Sequence, residues 1–96
     1  MGKFLAIGHH GPVDPELGLR IADEAVGWIS ARLADGTLDC LYSMAGGGRM
    51  LVANVDSAEA LRAMLRDAPD APREWTVTEL FDGIEVIRNY VESMRG

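Results

Sequence analysis

Thr37-Leu38-Asp39-Cys40-Leu41-Tyr42-Ser43-Met44-Ala45-Gly46-Gly47-Gly48-Arg49-Met50-Leu51-Val52-Ala53-Asn54-Val55 reads as two strand-like runs joined by three glycines. Glycine supplies the positive backbone angles that a tight reversal needs, so strands over 37–45 and 49–55 close into a β-hairpin. A strand, not a helix, follows the glycines, so they are no phosphate- or dinucleotide-binding fingerprint.

Upstream, Lys3 to His9 reads as a first strand ended by His10-Gly11-Pro12. Pro15 suits the first turn of a helix, which runs to about Asp35 and stops at Gly36. Its main apolar face is Ala22, Ala25, Val26, Ile29 and Leu33, spaced for burial against a sheet. A second stripe, Leu17, Ile21, Glu24 and Trp28, places a carboxylate among apolar side chains. Downstream, Asp56 is placed to cap a second helix, with Glu59 three residues on and Leu61, Met64 and Leu65 as its buried stripe. Ala68-Pro69-Asp70-Ala71-Pro72 ends that helix. Glu74 to Phe81 alternates as a last strand, and Asp82-Gly83 breaks it. Ile84, Ile87, Val91 and Met94 then recur at helical spacing, with Val86 and Tyr90 on another side of the same helix.

The order βαββαβα is that of an α+β, ferredoxin-like split βαβ sandwich with an extra C-terminal helix. The first strand then lies between the third and fourth, and right-handed crossovers set both main helices on one face. The strands carry apolar residues in both alternation phases, so the other face also needs a cover. A second sheet from a twin subunit supplies it, giving a dimeric α+β barrel.

Composition agrees with that picture. Ninety-six residues make one domain, 1–96, of a size that buries around two-thirds of its unfolded surface. Hydrophobic residues are 48% but aromatic ones only 6%, so the core is aliphatic and apolar surface is left for a homodimer or higher homo-oligomer. The net charge of −6, with scattered basic residues, argues against nucleic acid as a partner. The apolar runs are too short for a membrane span, and the first residues lack the apolar stretch of a signal peptide. Cys40 is the lone cysteine, which excludes an intramolecular disulfide and suits a reducing, cytoplasmic setting.

Several short segments carry a resemblance: Ala22-Asp23-Glu24; Leu33 with Asp35-Gly36-Thr37; Leu41-Tyr42 and Ala45-Gly46; Val55 with Ser57 and Glu59-Ala60-Leu61. Over roughly the middle half, the chain resembles the muconolactone isomerase family. The resemblance implies a dimeric α+β barrel and cofactor-free proton transfer in a pocket between sheet and helices. It also implies an acid-base role for Glu24. Family members carry a basic residue near position 21 and an arginine near position 43, where this chain has Ile21 and Ser43. A carboxylated lactone is therefore not implied as substrate.

The residues themselves nominate a site. Glu24 beside Leu17, Ile21 and Trp28 is expected to lose water, and its pKa to rise toward the range of a general base. His9 and His10 end the first strand, and adjacent residues point to opposite faces, so one of the two can face a pocket as a proton shuttle. The proposed topology brings His9, Arg49 and Trp75 to one end of the sheet. Arg49 can anchor an anionic or carbonyl oxygen, and the Tyr42 hydroxyl can polarise a carbonyl. Ile21, Trp28, Met44 and Trp75 are candidate apolar lining. Histidine and cysteine spacing supports no metal site, and no cofactor is expected. The expected function is a small isomerase or cyclase moving a proton on an apolar cyclic or polyketide-like molecule. A non-catalytic ligand-binding or assembly domain, or a cofactor-free monooxygenase, fits the same barrel.

Overall fold

A computed structural model describes residues 1–9, 15–69, 72 and 74–96, the side chains of 15, 17, 18 and 20 excepted. The elements are β1 (Gly2–Gly8), α1 (Pro15–Asp35), β2 (Leu38–Ser43), β3 (Arg49–Val55), α2 (Ala58–Arg66), β4 (Trp75–Leu80) and α3 (Gly83–Arg95). The four strands form one antiparallel sheet in the order β2-β3-β1-β4, as expected for a ferredoxin-like arrangement. Among the described residues, no helix is long and apolar enough to cross a membrane.

The hairpin turns where its glycines allow. Met44 N–H donates to the Gly48 carbonyl at 3.0 Å, Gly47 N–H donates to the Met44 carbonyl at 3.2 Å, and Gly46, Gly47 and Gly48 all have positive φ. The second strand is shorter than the sequence suggests, since 43 is its last residue and Met44 already belongs to the turn.

Alternation sorts the strands into two faces. Phe4 and Ala6 of β1 join Leu51 and Ala53 of β3 under the helices, and Leu38, Leu61 and Leu65 complete that core. α2 packs over β3 and β4, and α1 over β2. The opposite phase carries Leu5, Ile7, Cys40, Tyr42, Met50 and Val52, paired across the strands by register and covered by no described element of the chain. One corner of this open face is polar. Lys3 is ion-paired with Asp39, and Asn54 Nδ2 donates to Asp39 Oδ1 at 2.7 Å and to the Gly36 carbonyl at 3.0 Å.

Three local expectations need correction. The N-cap of α2 is Ser57, not Asp56: the Ser57 hydroxyl accepts from Ala60 N–H at 3.0 Å while its own backbone is extended. The better-placed short side chain wins, and the position three residues on is then Ala60, so no capping box with Glu59 forms. α1 is also rotated from the expected setting. Of the expected face it buries Ala25 and half-buries Ala22 and Ile29, but Val26 and Leu33 stay exposed, while Ile21 and Trp28 of the second stripe are half-buried. Two apolar stripes lie about 100° apart on α1, and the sector turned inward lies between them, which spacing alone does not fix. Finally, Phe81 lies beyond β4 and is exposed.

α3 is the exception to the packing. It starts well, with Asp82 as N-cap accepting from Glu85 N–H at 2.9 Å, yet none of its residues is buried. It extends the molecule to 61 × 28 × 20 Å.

Candidate functional site

Gly8 pairs with Arg49 on one side and Trp75 on the other, so His9, Arg49 and Trp75 share one end of the sheet. Gly8 is required there, because a Cβ would lie 2.9 Å from both Pro72 Cβ and Trp75 Cε3. The missing side chain lets the indole lie across the end of β1.

Trp75 separates two hollows. On one side is an open groove of about 720 Å³, lined by Ile7, His9, Arg62, Leu65, Arg66 and Trp75, with Glu74, Thr76, Ala68 and Pro72 around them. That volume is within the ordinary range for small-molecule sites. On the other side is a narrow cleft between helices and sheet, bounded by Trp28, Ile29, Leu41, Arg49, Leu51 and Leu65 together with Trp75. Among the described residues, the buried Trp75 Nε1 has no hydrogen-bond partner.

His9 is held by the hairpin. Its Nδ1 lies 3.2 Å from the Gly47 carbonyl oxygen. A carbonyl only accepts, so Nδ1 is assigned the proton in this contact, and in the neutral ring the lone pair is then on Nε2. Gly48 makes the contact possible. At φ +131° it stands where a Cβ would be 2.7 Å from the Gly8 carbonyl and 3.1 Å from His9 Nδ1. Arg62 is anchored as well, donating from Nη1 to the Trp75 carbonyl at 3.0 Å.

The remaining candidates scatter. Glu24 is exposed on α1, one turn before Trp28 and outside both hollows. Ile21 is half-buried, while the Arg32 guanidinium sits 4.3 Å over the Trp28 ring. Tyr42 is exposed on the open sheet face, and Met44 is part of the hairpin turn. His10 lies outside the described residues. Among the described residues, no group of three or more His, Cys, Asp or Glu is placed to hold a metal.

Sequence reasoning missed Arg62 and Arg66. They stand one helical turn apart on α2 and flank Leu65, a signal that was present in the spacing. It also gave the triple glycine a purely structural part, whereas the Gly47 carbonyl orients His9. No protein-family model matches the sequence, and no curated protein is significantly similar to it.

Proposed function

We propose that the protein is a cofactor-independent isomerase or cyclase, acting by proton transfer on an apolar small molecule that carries a carbonyl or carboxylate oxygen. The observation that carries this reading is the groove beside Trp75, with His9 on its wall and Arg62 and Arg66 beside it. Leu65 and Trp75 offer apolar contact, and the guanidinium groups attract an oxygen that gains negative charge. In the proposed step His9 Nε2 takes a proton from carbon next to a carbonyl. The electron pair moves onto the carbonyl oxygen beside an arginine, and the proton returns to a different carbon. Glu24 serves as a second acid-base group only where another subunit encloses it.

The finer fold reading is a dimeric α+β barrel like that of the muconolactone isomerase family. What supports it is the apolar sheet face that no described element covers. The exposure of Glu24 favours a second reading, a small-molecule-binding domain without catalysis.

Hydrogen exchange at carbon tests the reading whatever the product is. Cyclic enol lactones and β-dicarbonyl compounds are incubated with the protein in D₂O, and carbon-bound deuterium is followed by NMR. Protein-dependent exchange is expected, reduced about a hundredfold or more in His9→Gln, the usual contribution of a general base. Exchange lost in Glu24→Gln but kept in His9→Gln moves the base to Glu24. Ligand-dependent tryptophan fluorescence without any exchange establishes the binding domain instead.

A further inference from the structure

α3 has a continuous apolar arc and nothing beneath it. At about 100° per residue, Ile84, Val86, Ile87, Tyr90, Val91 and Met94 span an arc of about 160°, wider than the stripe a surface helix ordinarily buries. All six are between 37% and 71% exposed. By contrast α2, also strongly amphipathic, buries Leu61 and Leu65. Within the arc, Ile84, Ile87, Val91 and Met94 follow the alternating three- and four-residue spacing of a coiled-coil seam.

The outer flank of α1 carries the same pattern. Leu19, Ala22, Val26 and Ile29 continue to Leu33 with that spacing; Leu19 is 78%, Val26 63% and Leu33 41% exposed, while Ala22 and Ile29 form the half-buried edge of the seam, Ile29 also bounding the cleft beneath α1. The chain does not bring these two seams together, since α3 buries no residue anywhere. Their lengths match: Ile84 to Met94 and Leu19 to Ile29 each cover about 15 Å at 1.5 Å per residue.

We infer that α3 is an exchanged arm, whose seam packs antiparallel on α1 of a second copy of this chain. The antiparallel register sets Leu19 against Met94, Ala22 against Val91, Val26 against Ile87 and Ile29 against Ile84. It also places Asp23 beside Arg88, whereas the parallel alternative sets Asp23 opposite Gly83 and pairs no charges. Leu19, Val26, Ile84, Ile87 and Met94 are each more than 60% exposed, so the contact covers mainly apolar surface. A two-fold pair makes the contact twice, so the apolar area covered is doubled. The inference concerns the helices alone and does not depend on how the open sheet face is covered.

Single-cysteine chains test it, each in a Cys40→Ser background and mixed pairwise in a glutathione redox buffer, where only links between chains can form. The expected result is that Leu19→Cys with Met94→Cys, and Val26→Cys with Ile87→Cys, give heterodisulfides severalfold above the same mixtures in urea. Leu19→Cys with Ile84→Cys should stay at the urea level. Heterodisulfides no higher than in urea overturn the inference, as would a preference for links between two α3 helices. Equal linking of Leu19→Cys to Met94→Cys and to Ile84→Cys overturns the orientation. Adding Val52→Glu, which charges the open sheet face, keeps the two readings apart: the heterodisulfides persist even where face-to-face pairing of sheets is abolished.

Discussion

Asp39 shows how a few polar atoms fix a corner. Hydrogen bonds from Lys3 and then Asn54 hold its carboxyl below the ordinary value of 3.8, with the Lys3 charge adding to the effect. A carboxylate whose pKa falls on folding contributes stability that is complete above its unfolded value and is lost as pH falls through the lower, folded one. Lys3→Met should therefore move the Asp39 midpoint up toward 3.8, though not fully, because Asn54 remains. The wild type should also keep its stability to lower pH than the variant, and the two should converge once both carboxyls are protonated. Carboxyl carbon-13 titration and acid-range melting curves check both outcomes. Screening limits the size of the effect at so exposed a site. The Lys3–Asp39 pair was illegible in the sequence, because a 36-residue separation is bridged only by the register of β1, β3 and β2. His9 and Arg49 were legible as a pair for the opposite reason: each is fixed by its place at the end of a strand.

The caps and stripes belong to the scale of elements. Ser57 is the cap of α2, and Ser57→Ala should destabilise the fold by about 1 kcal/mol, the usual worth of an N-cap, whereas Asp56→Ala should cost much less. For a chain of this length, 1 kcal/mol is about 4–8 °C of melting temperature, which calorimetry resolves. Equal losses in the two variants would return the cap to Asp56. Two adjacent short polar residues, Asp56 and Ser57, made the cap ambiguous in the sequence, and backbone conformation decided between them. The rotation of α1 was hidden for a related reason. A helix with Ile21 and Trp28 on one side and Val26 and Leu33 on another has two apolar faces, and the sector between them, around Ala25, is the one that turns inward. Glu24 lost its expected shelter through that choice, because its neighbours turn toward the sheet while its own side chain stays outside.

For the whole molecule, the decisive feature is the sheet with one covered and one open face. Leu5, Ile7, Met50 and Val52 on the open side predict a dimer at micromolar concentration, and Val52→Glu should weaken it by placing a charge in the middle of the apolar surface. Sedimentation equilibrium separates the cases, and a wild-type monomer at that concentration would remove the barrel. The strand order was readable because hairpin, crossover and alternation all pointed to one topology. That order also sets a timetable. β1 lies in the interior of the sheet, yet its partners are Arg49–Val55 of β3 and Trp75–Leu80 of β4, so the first of the four strands waits for two later ones. Only the β2–β3 hairpin closes a short loop, while the central ladder requires distant segments to meet, which makes folding slow. During synthesis Phe4-Leu5-Ala6-Ile7 is therefore left without strand partners until β3 and then β4 have emerged. For that interval the middle of the finished sheet is the segment most exposed to misassociation and most in need of a chaperone.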